Sequence, residues 1–275
     1  MKRLFLALLL PLSAAGIVAV AAATVLVLRG DGQAATDAAR EDETAASSPR
    51  LRPEANVCQG ILHVPEAGTP RSFPAEYTQR REAAGFVIVA NADVDPEALD
   101  IAAETVQRVF ANNDLEEGLV AEGAYVIVAD EDQGVLDLPE FRCLDSERNQ
   151  DFFDHVCGVA DRADYPVVTV NELDLLGDRH GPCNGLNILY HELGHLVQGW
   201  TLPPAEYFDV RQYYQDALAA GKYRDDYAAT NANEYFAEAT QAYFLHTDLE
   251  GRRDRDWLWN YDPQTYMLVD SVYRD

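Results

Sequence analysis

A short motif in the C-terminal half of the chain combines the residue types that bind zinc. His191 and His195 are four positions apart, so on a helix their imidazole rings point to the same side and can share one metal ion. Glu192 follows the first histidine and can act as a general base toward a water molecule on that ion. The surrounding apolar residues predict a buried helix that begins after Gly185 and ends at Gly199.

A catalytic zinc site needs a third protein ligand and leaves a fourth position open. The only histidine downstream of His195 is His246, which does not fit the spacing of a three-histidine site, so we expect a glutamate as the third ligand. Glu234 is the candidate, on a helix predicted over residues 231–245, and Glu238 lies one turn later on the same face. A solvated acidic stripe is the alternative interpretation of these two glutamates, and the upstream motif favours the ligand.

The segment from Tyr227 onward resembles the catalytic domain of the anthrax lethal factor family, within the gluzincin zinc metallopeptidases. In gluzincins the H-E-x-x-H motif is followed by N-E-x-x-A-E, whose first acid binds zinc and whose second orients the first histidine. The resemblance therefore implies that Glu234 binds the metal and that Glu238 contacts His191. It also implies that Tyr227 stabilises the transition state or protonates the leaving group. The resemblance covers roughly residues 185–247 and does not extend to the family's substrates.

Together, the motif and the resemblance imply a zinc-dependent metalloendopeptidase. Zn²⁺ would activate water, Glu192 would take the proton, Tyr227 would hydrogen-bond the developing oxyanion, and the substrate would be a peptide or protein. Two alternatives remain open: an exported zinc-binding module without turnover, and a zinc hydrolase that acts on a non-peptide bond. Glu192 argues against the first, because a structural site needs no base and usually has four protein ligands. His180 precedes the helix and could line the cleft, although a histidine in a loop is more often merely exposed.

The elements that must position these residues follow from short apolar runs. Residues 86–89, 125–128 and 167–170 are rich in β-branched side chains and predict buried strands, and Asp95-Pro96 opens a helix after the first of them. Helices dominate the C-terminal half. We therefore predict an α+β, zincin-like fold, in which a small N-terminal sheet with a helix precedes a helical half that carries the HExxH helix and the glutamate-ligand helix.

The N-terminal residues differ in composition from the rest of the chain. An apolar run over residues 4–28 follows a basic pair, which predicts a membrane anchor or, alternatively, a cleaved signal segment within residues 1–29. Residues 30–55 read as a flexible linker, and residues 56–275 as an extracellular zincin-like metallopeptidase domain. We therefore expect the catalytic domain to lie outside the cell membrane, or to be secreted if the segment is cleaved.

The formal net charge of −26 limits the partners of this chain. A strongly acidic surface repels phosphate backbones, so nucleic-acid binding is excluded as a function class. The hydrophobic content of 48% indicates a globular chain with a core and argues against intrinsic disorder.

The four cysteines include no C-x-x-C pair; they are Cys58, Cys143, Cys157 and Cys183. An even number in a chain expected to be exported predicts two disulfides, and a cysteine-ligated zinc site is the less favoured alternative. The spacing leaves all three pairings open.

Overall fold

A mixed sheet forms the N-terminal part of the structure. The structure is a computed structural model that describes residues 72–145, 150, 153, 156–160, 166–245 and 253–274. Across these residues its strands are β1 (Gln79–Ala83), β2 (Phe86–Ala90), β3 (Tyr125–Ala129), β4 (Gly158–Val159) and β5 (Val167–Asn171). The spatial order is β1-β2-β3-β5-β4. The three central strands are parallel, and β1 and β4 pair antiparallel at the two edges.

The central strands are buried because both faces of the sheet are covered. One face, with Ile88, Val126 and Val168, packs against the helices. The other face, with Ile127 and Val167, packs against apolar side chains from the loop region after β3. A sheet that is buried on both sides requires continuous apolar strands, which explains the β-branched runs in the sequence.

The described helices follow the sheet order and then dominate the C-terminal half. They are α1 (Pro96–Val109), α2 (Leu115–Ala121), α3 (Glu172–Leu175), α4 (Leu189–Trp200), α5 (Pro204–Ala219), α6 (Ala232–Phe244), α7 (Arg255–Tyr261) and α8 (Pro263–Tyr273). Helix α4 lies at the centre, in contact with β4 and β5 on one side and with α6 on another. The HExxH motif is therefore held between the sheet and the C-terminal helices.

The predicted α+β fold is confirmed, with a sheet first and a helical half after it. Each of the three predicted strands is present and is one residue longer than expected, and the helix expected over residues 231–245 spans Ala232–Phe244. Helix α5 was not predicted. Its buried residues are Val210 and Ala217 alone, so its sequence carries no apolar stripe.

The prediction that an N-terminal anchor holds the catalytic domain outside the cell membrane, or that the domain is secreted after cleavage, is corrected by the structure. Within residues 72–274, apart from the gaps given above, no helix is long and apolar enough to cross a membrane. The apolar run over residues 4–28 and the expected linker over residues 30–55 lie outside the described part of the chain.

Candidate metal centre

Two of the expected ligands lie on α4, whose first turn is fixed by Asn187. The Asn187 side chain accepts a hydrogen bond from the backbone N–H of Leu189 at 3.1 Å, which satisfies one of the donors that a helix start leaves open. His191 and His195 lie on consecutive turns of this helix, and both are buried, with 5% and 8% of their surface exposed. Their ring centroids are 4.7 Å apart, so the two imidazoles do meet on one side of the helix.

Helix α6 approaches α4 closely at Gly194. A Cβ atom added to this glycine would lie 3.1 Å from Ala237 Cα and 3.0 Å from Thr240 Cβ, both on α6. These distances are tighter than ordinary side-chain contacts, so a larger residue would push the helices apart. Glycine between the two histidines therefore lets the carboxylates of α6 reach them.

The expected third ligand, Glu234, lies in the first turn of α6. Asn231 precedes the helix in an extended conformation, and its side-chain oxygen accepts from the N–H groups of Asn233 at 2.8 Å and Glu234 at 3.0 Å. This cap fixes where α6 begins. The Glu234 side chain, which is 0% exposed, points from that turn toward α4.

Three ligand atoms converge between the two helices. His191 Nε2 lies 3.0 Å from His195 Nε2, and Glu234 Oε2 lies 3.2 Å and 3.3 Å from these two nitrogens. Around a tetrahedral zinc ion with bonds near 2.0 Å, ligand atoms are separated by about 3.3 Å. The spacing and the two-nitrogen, one-oxygen donor set therefore fit an HExxH zinc site.

Glu238 contacts the far side of the first histidine. Its Oε1 lies 3.1 Å from His191 Nδ1, one helical turn beyond Glu234. A carboxylate at Nδ1 holds the proton on that nitrogen and leaves Nε2 free to bind a metal ion. The structure thus brings Glu238 to the position that the resemblance implies.

The metal-free group holds protons and charges in an unusual distribution. Burial alone would lower the pKa of His191, but its hydrogen bonds to Glu234 and Glu238 outweigh burial and raise the pKa to about 10. Burial would raise the pKa of Glu234, but its hydrogen bonds to His191 and His195 lower it to about 2. The cluster is therefore an ionised carboxylate against an imidazolium, and a divalent cation can replace the imidazolium proton.

Glu192 lies on the sheet side of α4 and is 3% exposed. Burial raises the pKa of its carboxyl group, and the neighbouring His191 and His195 oppose that rise. A carboxylate whose pKa is raised holds a proton more strongly, which suits a group that accepts one during a reaction.

Tyr227 is carried by a 3₁₀ turn, Tyr227–Ala229, directly before α6. Its ring centroid lies 6.1 Å from that of His191, so the structure places the tyrosine beside the metal-binding group. His180 lies apart, in a surface loop, where its side chain is 90% exposed and its Nδ1 is 2.7 Å from Asp178 Oδ1.

The edge strand β4 was missed by the sequence interpretation, although it borders the site. A Cβ atom on Gly158 would lie 2.5 Å from the Thr169 carbonyl oxygen, 2.6 Å from Ile188 Cδ1 and 3.4 Å from Glu192 Cγ. Only glycine therefore allows β4 to lie against α4 at this point. A strand of two residues gives no periodicity to detect, and a glycine beside a cysteine was the one available signal.

A disulfide joins β4 to the loop before α4. Cys157, directly before β4, is bonded to Cys183, with Cα atoms 5.4 Å apart. The prediction of disulfide bonding is confirmed for this pair. Cys58 and the side chain of Cys143 lie outside the described residues.

An α+β fold that holds two histidines and a glutamate between packed helices defines the gluzincin class of metal site. The family model described as "Anthrax toxin lethal factor, N- and C-terminal domain" matches residues 76–272. The match spans well over half of the chain, and this chain belongs to that family, which is known for zinc metalloprotease activity. Comparison with curated proteins gives no match.

Proposed function

We propose that this protein is a zinc-dependent endopeptidase, with Zn²⁺ held by His191, His195 and Glu234. The observation that carries the proposal is the convergence of three buried ligand atoms, 3.0–3.3 Å apart, beside the buried carboxylate of Glu192. When bound, zinc lowers the pKa of a water molecule to about 7 and polarises the scissile carbonyl group.

In this proposal Glu192 accepts a proton from the attacking water and later donates it to the leaving amine. Its burial supports this role, because burial raises the pKa of the carboxyl group above its ordinary value and so makes it a stronger proton acceptor. Tyr227 donates a hydrogen bond to the oxyanion that develops on the carbonyl, and its position against the His191 ring supports this assignment. Glu238 keeps His191 in the tautomer that binds the metal ion.

The edge of the sheet supports a peptide as the substrate. β4 is the last strand of the described sheet, and Gly158 brings it against α4 beside Glu192. An extended peptide can add to such an edge through main-chain hydrogen bonds.

The test compares wild type with Glu192→Gln, and uses Glu104→Gln, on the exposed face of α1, as the matched control. Zinc content is measured by atomic emission, and hydrolysis by mass spectrometry on a diverse peptide pool. We expect all three proteins to hold one zinc ion, and Glu192→Gln alone to lose peptide hydrolysis, by at least about a thousandfold.

Two outcomes would overturn the proposal. A fully zinc-loaded wild type that cleaves no peptide would indicate a binding module without turnover. If the protein hydrolyses esters or glycosides and leaves peptides uncleaved, its substrates belong to a different class. Glu234→Ala tests the ligand set separately, because full zinc occupancy in that variant would contradict the third ligand.

A further inference from the structure

The loop that leads into Tyr227 contains a tyrosine in a backbone conformation that this residue type rarely adopts. Tyr223 and Asp225 have φ angles of +56° and +58°, in the left-handed region. A bulky side chain such as tyrosine rarely adopts this region, so the loop needs contacts from elsewhere to keep its shape.

Three side chains that follow α6 in the chain supply such contacts. The Tyr261 hydroxyl accepts from the Tyr223 N–H at 2.9 Å, and the buried Asp262 carboxylate accepts from Lys222 Nζ at 2.8 Å. Arg253 forms an ion pair with Asp226. We call Arg253, Tyr261 and Asp262 the C-terminal clamp.

The Arg253 contact is the one that adjoins Tyr227 in the chain, because it is made with Asp226. The Asp226 carboxylate is 6% exposed and makes two contacts, one with each oxygen. Oδ1 accepts from the Ala228 N–H at 2.9 Å and so closes the 3₁₀ turn that carries Tyr227, while Oδ2 pairs with the Arg253 guanidinium. The arginine therefore acts on the residue that caps the tyrosine's turn.

Arg253 is itself fixed in place. Its guanidinium carbon lies 4.8 Å from the Trp257 ring centroid, a cation–π contact. Burial lowers the pKa of Arg253, but the hydrogen bond and charge of Asp226, and then the charge of Glu238, raise it above its ordinary value. The arginine thus lies in the field of both the turn's cap and the carboxylate that orients His191.

We propose that Arg253 is a positioning residue for Tyr227, and that it acts through Asp226 to hold the tyrosine beside the metal-binding group. The inference rests on the proposed function, because it assigns Arg253 to the same reaction. Loss of the guanidinium leaves Asp226 buried without its counter-ion, so the turn relaxes and the tyrosine hydroxyl leaves the position in which it meets the oxyanion. The metal ligands on α4 and α6 stay in place.

The variant Arg253→Met keeps an unbranched side chain and removes the guanidinium, and with it the ion pair to Asp226 and the cation–π contact with Trp257. Arg255→Met is the matched control, since the Arg255 guanidinium stacks on Tyr243 at 3.7 Å and lies outside the clamp. We expect Arg253→Met to lower kcat by about tenfold or more, with KM and zinc content unchanged. Arg253→Lys should restore part of the loss, because it keeps the charge but not the guanidinium fork.

A double-mutant cycle separates positioning from a general structural role. If Arg253 acts through the tyrosine, Arg253→Met in a Tyr227→Phe background lowers kcat no further. If the factors by which the two substitutions lower kcat multiply in the double variant, the inference is overturned. It is also overturned if Arg253→Met has the kcat of wild type. Should Arg253→Met fail to fold, Asp226→Asn, which keeps the cap to Ala228 and weakens the ion pair, takes its place with the same expectations.

A readout without turnover keeps this test distinct from the test of the proposed function. Hydrogen exchange of residues 222–231 in the metal-free protein should quicken in Arg253→Met and stay unchanged in Arg255→Met. If wild type cleaves no peptide but this exchange pattern is found, the proposed function fails and the positioning of the turn stands. Unchanged exchange in Arg253→Met refutes the positioning itself.

Discussion

Zinc uptake by this protein should be strongly pH-dependent, because the metal ion must displace a tightly held proton. In the metal-free chain the pKa of His191 is about 10, since its hydrogen bonds to Glu234 and Glu238 outweigh burial. Since pH 7 lies about three units below this pKa, removal of the proton at pH 7 costs about 4 kcal/mol of free energy. We therefore expect the apparent zinc affinity to rise about tenfold per pH unit from the His191 proton alone, or about a hundredfold between pH 6.5 and 8.5.

The measurement is competition with a zinc chelator of known pH dependence, across pH 6 to 9. Calorimetry in two buffers of different ionisation enthalpy counts the protons released. His180→Ala, which removes an exposed histidine away from the cluster, should leave the slope unchanged. An affinity that levels off near pH 7, where an ordinary histidine is already neutral, would refute the pairing of a protonated His191 with an ionised Glu234.

Four further predictions concern the same elements. Glu238→Gln should weaken zinc binding about 10- to 100-fold in chelator competition, because His191 loses the carboxylate at Nδ1. Gly194→Ala should lower the free energy of unfolding by about 1–3 kcal/mol in urea, since its Cβ would press on α6. Reduction of the Cys157–Cys183 disulfide, which spans 26 residues, should cost about 3.5 kcal/mol by the loop-entropy relation, measured in guanidinium with and without reductant. In the metal-free protein, the raised pKa of His191 stabilises the fold fully below pH 6.5, and this stability is lost as the pH rises toward 10. The lowered pKa of Glu234 stabilises the fold above pH 4.5, and this stability is lost as the pH falls toward 2. Thermal melting measured across this pH range checks both. A melting temperature that rises between pH 6.5 and 10 would contradict the His191 assignment.

The metal-binding group could be predicted from the sequence because its spacing is set by helix geometry. Two histidines at i and i+4 share a face on any α-helix, and a glutamate four residues before another places both on one side of a second helix. The sequence pattern does not show how closely these two helices pack against each other. Gly194 made that approach possible, but only the packed structure shows that Ala237 and Thr240 oppose it.

The contacts that hold Tyr227 could not be predicted in the same way. Arg253 and Asp226 are separated by a helix and by residues that carry no periodic signal, so their pairing is a tertiary event. The left-handed backbone at Tyr223 is likewise hidden, because tyrosine gives no sign of a positive φ angle. The edge strand β4 escaped detection because two residues are too few to show alternation.

The disulfide before β4 affects whether one copy of this protein could be cleaved by another. A peptidase cleaves chains that are locally extended, so its own backbone is vulnerable wherever it can open. The loop before α4 is tied to β4 by Cys157–Cys183, and most of the connection between α4 and α6 is wound into α5. Under the proposed function, both stretches of chain that flank the HExxH helix are thereby held away from the extended form in which a second copy of the protein would cleave them.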